Sequence, residues 1–588
     1  MTKFDIVIKE GTIVDGTGVA RYFGDIGIND GIIEQIGSNI STDKAAKVIN
    51  AKGKIVAPGV IDPHTHYDAQ VHWDPYCTNS GWHGTTTVVV GNCGFGFMPC
   101  KPDARDRYML MMENTEQVPL GAMRKALPWE WESFPDWINY MKSVRKGINL
   151  AAYMPLNSLM IYVMGYDAAK SRGATPAERQ QMRDLLNEAM DQGAIGFALS
   201  HLNEFNSHKD CDGTPMPTDS MQIDDAYYLA EVLRERDQGV IQCLAELPVT
   251  VSNRQAVEEL ARISGRSILH NVITAFDMLP DYHTDIMAWL NRCEEQGLNI
   301  YSQSLTLRAW NEFNAVDADT LWQGVDPFAE FARARGAAEK LKLLRDQDYR
   351  ARAREQYNPD MMVGSGGPVE SFILLRAKGQ KFAPHEGQLL SDIAEKTNST
   401  PIDVIFDIIA ESDGAMADFR TTQATSTDIE KLSSILKHRR VLPGTSDGGA
   451  HIKFFSGGHF STDNIMQMVR EENRMSLEEI HFKLSNLPSR VLGLNKRGVL
   501  LEGYAADLYI YDFDNLGYNQ HAYDIVDDLP DGDWRRVVRS EGIEWNVVNG
   551  EIIFENSEST GALPGRLLGN GGQEVDQALA NNIQIAAE

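Results

Sequence analysis

Basic side chains and cysteines are both scarce in this 588-residue chain. Its 55 lysines and arginines face 83 aspartates and glutamates, a formal charge of −28. Such a polyanion repels nucleic-acid phosphates and anionic membrane surfaces, which argues against a general role on either. The six cysteines are scattered, so they do not make a disulfide framework. No uninterrupted apolar stretch approaches the roughly 20 residues of a membrane span. The opening Met1-Thr2-Lys3-Phe4-Asp5-Ile6 has no signal-peptide core, so a reducing cytoplasm is the expected location. Apolar residues make up an ordinary 43%, and 10 Trp, 19 Tyr and 21 Phe provide core material, which argues against disorder.

Both ends of the chain read as short strands and turns, for example Phe4 to Ile8, Ile32 to Gly37, Ala506 to Asp512 and Trp545 to Phe554. Residues 1–54 and 491–588 are therefore expected to meet in one small sheet domain built from the two termini. Between them, apolar runs alternate with helical patterns. The runs are Ile55 to Ile61, Thr85 to Val90, Leu150 to Met154, Ala194 to Leu199, Gly239 to Leu244, Ser267 to Ile273, Leu298 to Ser302 and Val441 to Thr445. Most lack period-2 alternation, as parallel strands buried on both faces do. Eight such units predict an α/β fold with a TIM-like (β/α)8 barrel over residues 55–490. Two segments are too long for ordinary connections. Residues 94–147 carry Met109, Met111, Met112 and Trp129, Trp131, Trp137, and residues 305–440, between strands 7 and 8, carry helices and Gly364-Ser365-Gly366-Gly367. Both are lid or substrate-domain candidates, with the Met and Trp runs expected to pack.

Three stretches carry chemistry. In Pro58-Gly59-Val60-Ile61-Asp62-Pro63-His64-Thr65-His66, two histidines at i and i+2 turn to one side and can reach one cation. Cys93 ends the second strand between Asn92 and Gly94; it reads as a soft metal ligand or as a small buried thiol. Asp447, in Thr445-Ser446-Asp447-Gly448-Gly449-Ala450-His451, is a carboxylate at the eighth strand end. Beside a metal it can ligate the ion and carry a proton from water to a leaving amine.

Together with Asp5 to Gly18, Thr85 to Gly94, Lys496 to Leu508, Val548 to Glu551 and Gly561 to Leu568, these stretches resemble the amidohydrolase superfamily, in its N-acyl-D-amino-acid deacylase (D-aminoacylase) branch. The resemblance spans nearly the whole chain. It implies a barrel hydrolase with a small β-sandwich from residues 1–54 and 491–588, a divalent metal such as zinc, and a small-molecule amide substrate. His64, His66 and Asp447 would hold one ion, and Cys93 would stand for the bridging ligand of other relatives. The family's strand-5 histidine has no counterpart in Val240 to Glu246; Cys243 or Glu246 could substitute, and each also reads as an ordinary core or surface residue. On strand 6, His270 is either a ligand or a satisfied histidine at a strand end. One ion is expected, with two still open.

The substrate signals depart from the branch. Val272 stands where a lysine follows the strand-6 histidines, and His451-Ile452-Lys453 replaces the stretch whose arginine clamps a carboxylate bidentately. His451 and Lys453 are the substrate-binding candidates, Arg308 and Arg376 are unplaced cations, and His201 or His208 could reach the mouth. Amide hydrolysis of an N-acyl-D-amino acid is the leading expectation. A carboxylate-free amide or cyclic imide, and a catalytically silent scaffold barrel, are the alternatives. Homo-oligomerisation is left open.

Overall fold

In the computed structural model the described residues are 4–575, apart from 204–207, 248–250, 278, 309, 315, 317–327, 335, 360–367, 379, 413–416, 422–424 and 573. The glycine-rich Gly364 to Gly367 therefore lies outside them.

Both termini build one nine-stranded sheet rather than two facing sheets. Ile6–Ile13 runs parallel to Ile55–Pro58, which pairs antiparallel with Leu508–Tyr511, so the chain's two ends meet there. This moves the expected boundary. The apolar run Ile55 to Ile61 breaks at Gly59, and only Val60–Asp62 joins the parallel strands, through Thr85 to Val88. A Cβ at Gly59 would stand 2.2 Å from Thr86 Oγ1, so only glycine lets the chain step between the sheets there.

We number the eight parallel strands β1 (Val60–Asp62), β2 (Thr85–Val90), β3 (Asn149–Ala152), β4 (Gly196–Ser200), β5 (Val240–Leu244), β6 (Ser267–Ile273), β7 (Ile300–Ser304) and β8 (Val441–Pro443). They form two arcs. One orders β1, β2, β3 and the C-terminal Leu567–Leu568; the other orders Met154–Pro155, β4, β5, β6, β7 and β8. The ladders among the described residues do not close into a ring. Short β1 and β8 approach through one parallel bridge, Thr65 to Gly448, and through the His66 N–H donating to the Gly448 carbonyl at 2.7 Å. Ile61, Val89, Ala151, Ala198, Val240, Leu269 and Leu442 form one buried cluster between the arcs, each valine, leucine or isoleucine contributing about 1.5–3 kcal/mol of burial.

The first long insertion folds as helices Arg105–Glu116, Leu120–Ala126 and Phe134–Ser143. Its methionines and Trp131 and Trp137 are buried in the main core, as packing. The second insertion has its own apolar cluster, including Phe313, Phe372, Phe406 and Phe419, around an antiparallel sheet of Glu312–Asn314, Ala417–Arg420 and Ile373–Ala377. No helix among the described residues is long and apolar enough to cross a membrane.

Candidate metal centre

His64, His66 and Cys93 converge at the ends of β1 and β2, with their ligand atoms all within 4.8 Å of one another. The two imidazoles meet edge to face with centroids 5.4 Å apart. The glycines around Cys93 have a local cause. A Cβ at Gly91, which has φ +82°, would lie 2.8 Å from the Tyr153 carbonyl. Cys93, Asp447 and His451 themselves hold φ of 55°, 49° and 55°. Left-handed backbone is uncommon for such residues and costs of order 1–3 kcal/mol each, so the surrounding loops hold these three side chains in place.

Asp447 joins them from the loop after β8. Its Oδ1 lies 3.4 Å from His64 Nε2 and 3.8 Å from His66 Nε2. Ser446 anchors that loop by donating to Asp62 Oδ2 at 2.6 Å. Glu116, from the end of the first insertion's first helix, escaped the sequence reading. Its Oε2 is 3.6 Å from His66 Nε2 and 3.5 Å from His451 Nε2, and its carbonyl accepts from the His451 N–H at 2.6 Å. Nothing in the sequence marks Glu116 apart from the other acidic residues of a polar helix.

The arrangement fits a cation. Cys93 Sγ lies 3.5 Å from His64 Nε2, and from there through Asp447, His66 and Glu116 to His451 successive lone-pair atoms stand 3.4–3.8 Å apart. Those gaps exceed charge-assisted hydrogen bonds. They are of the size of neighbouring ligand–ligand separations around a cation with bonds near 2.0–2.3 Å, about 3.3–3.7 Å, and among the described residues it is His64, His66 and Cys93 whose ligand atoms all lie within 4.8 Å of one another. Glu116 Oε1 is moreover buried with no hydrogen-bond partner among the described residues. Burial holds His66 well below the ordinary imidazole range, helped by repulsion from His64, and pushes His451 down to about 3. It also pushes the Glu116 carboxyl and the Cys93 thiol well up, reinforced by nearby carboxylates. Neutral imidazoles are ready ligands, while the thiol and carboxyl must release protons to a metal.

Behind the ligand atoms stand amides. His64 Nδ1 lies 3.1 Å from Gln303 Oε1 on β7 and 3.0 Å from Asn271 Nδ2 on β6. With Nε2 turned to the cluster, the ring proton sits on Nδ1 and is donated to Gln303. The Cys93 N–H donates to Gln242 Oε1 on β5 at 2.7 Å.

The chain also shows where strands 5 and 6 differ from expectation. His270 is not brought to the cluster. Its Nδ1 lies 3.0 Å from Ser302 Oγ, its Nε2 lies 3.3 Å from Glu246 Oε2, and its ring packs 5.0 Å from Trp289 on an outer helix. Alternation is the reason: Leu269 and Asn271 face inward, so His270 faces the helices. Glu246 is tied to Arg254 as well, and Cys243 is buried in the main core. Lys453 also points away, pairing with Asp533 at 2.5 Å and lying over the Trp534 ring. Of the two loop histidines, His201 Nδ1 lies 3.4 Å from the Thr218 carbonyl. His208 is pushed down to about 4, by burial first and then by His64.

A family model described as "Amidohydrolase family" matches residues 47–527. The chain belongs to the amidohydrolase family. This amidohydrolase is 25% identical over 571 residues to an N-acyl-D-aspartate deacylase of Alcaligenes xylosoxydans xylosoxydans, covering 96% of this chain and 95% of that one. It is likewise 25% identical over 600 residues to an N-acyl-D-glutamate deacylase of the same organism, covering 96% of each. Among solved structures, an N-acyl-D-glutamate deacylase from Bordetella bronchiseptica, complexed with zinc and a phosphonate inhibitor, superposes with a TM-score of 0.64. The identity is 23%, covering 96% of this chain and 99% of that one. The amidohydrolase thus lies in the D-aminoacylase branch, whose members cleave carbon–nitrogen bonds other than peptide bonds.

Proposed function

We propose that this amidohydrolase is a metal-dependent, N-acyl-D-amino-acid deacylase-like enzyme that hydrolyses a carboxamide C–N bond, with the two arcs serving as one (β/α)8 barrel. The observation that carries the reading is the convergence of His64, His66 and Cys93 on one buried point, with Asp447 Oδ1 3.4 Å from His64 Nε2 and 3.8 Å from His66 Nε2. These four would hold one divalent cation, with Glu116 as a further oxygen donor. The cation, zinc being the best match to this imidazole, thiolate and carboxylate set, supplies Lewis acidity toward water and toward the substrate carbonyl.

The rest is done by the chain. Asp447 is the open member of the group, its side chain 26% exposed at the mouth. Enclosure raises its carboxyl above the ordinary range while His64 opposes the shift, which makes it a better base than a solvated aspartate. It takes a proton from the water that attacks the carbonyl carbon. As the C–N bond breaks, it returns that proton to the amine nitrogen, leaving an acid and an amine. Gln303 holds the His64 ring by accepting from its Nδ1, and Gln242 holds the Cys93 backbone.

A second reading, a substrate without a free carboxylate, is favoured by the cations. Lys453 is committed to Asp533, Arg308 to Asp463 and Glu471, and Arg376 to Asp418. The test is metal content of the purified protein together with a substrate panel of N-acyl-D-amino acids, acyl-anilides and cyclic imides. About one equivalent of metal with turnover of at least one class is expected. Less than about a tenth of an equivalent, unrestored by added zinc, overturns the hydrolase.

A further inference from the structure

Three carboxamides stand at inward positions of three adjacent strands: Gln242 on β5, Asn271 on β6 and Gln303 on β7. They are buried, at 0%, 3% and 0% exposure. Each spends one end on the metal centre's own residues. Gln242 Oε1 accepts from the Cys93 N–H, Gln303 Oε1 accepts from His64 Nδ1, and Asn271 lies against the same ring nitrogen. The other ends, Gln242 Nε2, Gln303 Nε2 and Asn271 Oδ1, have no hydrogen-bond partner among the described residues.

A buried amide end left unpaired costs about 1–3 kcal/mol, and native interiors rarely keep even one without a use. Three beside one candidate catalytic centre are a ligand's counterpart. The two glutamine NH2 groups are donors suited to an oxygen atom. The oxygen they suit is a neutral one, because the cations Lys453, Arg308 and Arg376 are each paired with carboxylates instead of standing beside the amides.

We propose that Gln242 and Gln303, steadied by Asn271, form a carboxamide cradle that donates to the carbonyl oxygen of a neutral amide or imide group of the substrate beside the metal ligands. The inference rests on the hydrolase reading and narrows its substrate class. It also gives the centre a second source of carbonyl polarisation besides the cation, since donors fixed in a dry site are stronger than in water.

Glutamine-to-glutamate substitutions test it. In Q242E and Q303E the end facing Cys93 or His64 stays an oxygen, while the free end changes from donor to acceptor. Binding of succinimide and of acetate is measured by ligand-observed NMR on wild-type and variant protein, with metal content read alongside. Wild type is expected to bind succinimide more tightly than acetate, and each variant to lose about tenfold or more for succinimide with its metal retained. Wild-type affinity for succinimide in both variants, or tighter binding of acetate by wild type, overturns the cradle. The succinimide comparison runs equally on metal-free protein, so absence of metal would count against the hydrolase reading while the cradle is still judged on its own result.

Discussion

Glu116 Oε2 lies 3.6 Å from His66 Nε2, so a carboxylate from the first insertion reaches the histidine motif of β1 fifty residues upstream. Its backbone carbonyl is held by the His451 N–H at 2.6 Å, which clasps the insertion to the loop carrying Asp447. The insertion is thereby part of the centre and not only its cover.

Glu116→Gln keeps the shape of the side chain and removes its charge. If Glu116 is an oxygen donor to the cation, the variant should bind zinc about 10–100-fold more weakly, measured by competition with a chromophoric chelator. Unchanged affinity would confine Glu116 to positioning His451.

Asp447→Asn separates proton transfer from metal binding. Turnover should fall by about 10²–10⁴-fold, while metal content after dialysis stays near the wild-type value because His64, His66 and Cys93 remain. Full activity would remove Asp447 from the proton path.

Much of this centre was legible in the chain because its spacing is local. His64 and His66 are two residues apart, and Cys93 and Asp447 sit in glycine-flanked loops just past strand ends, where facing and height follow from backbone geometry. Glu116 and the amides were not legible. Glu116 depends on how a 54-residue insertion folds back. Gln242, Asn271 and Gln303 look like ordinary strand residues until the inward face of each strand is known. His270 shows how sharp that dependence is, since a shift of one residue on β6 separates a ring set edge-on to Trp289 from an amide touching His64. Strands at both ends of the chain were visible, but not that they share one nine-stranded sheet. Its claim on Ile55–Pro58 was hidden, because the apolar run continues through Gly59 without any change in texture.

Cys93→Ser tests the thiolate directly. In cobalt-substituted protein, a sulfur ligand gives a near-ultraviolet thiolate-to-metal charge-transfer band. Wild type should show it and the variant should not, while the visible d–d bands persist through His64, His66 and Asp447. The same spectrum in both proteins would return Cys93 to the role of a buried thiol.

Lys483 ties pH to the strand that leads to Asp447. Its ammonium donates to the carbonyls of His438 at 2.6 Å and Val441 at 2.8 Å, fixing the start of β8. Burial pushes it down to about 7, against an opposing pull from Glu479. In the unfolded chain the same lysine titrates near about 10.4. Between those values the unfolded chain binds a proton that the folded chain has released, so folding stability rises with pH from about 7 toward about 10; below 7 both states are protonated and the contribution is flat. Lys483→Met removes both the titration and the two hydrogen bonds. Its melting temperature should lie below wild type at every pH, with the gap widening from pH 7 to pH 9. Parallel stability curves across that range would show that Lys483 keeps its proton in the folded state, held by the two carbonyls it bridges.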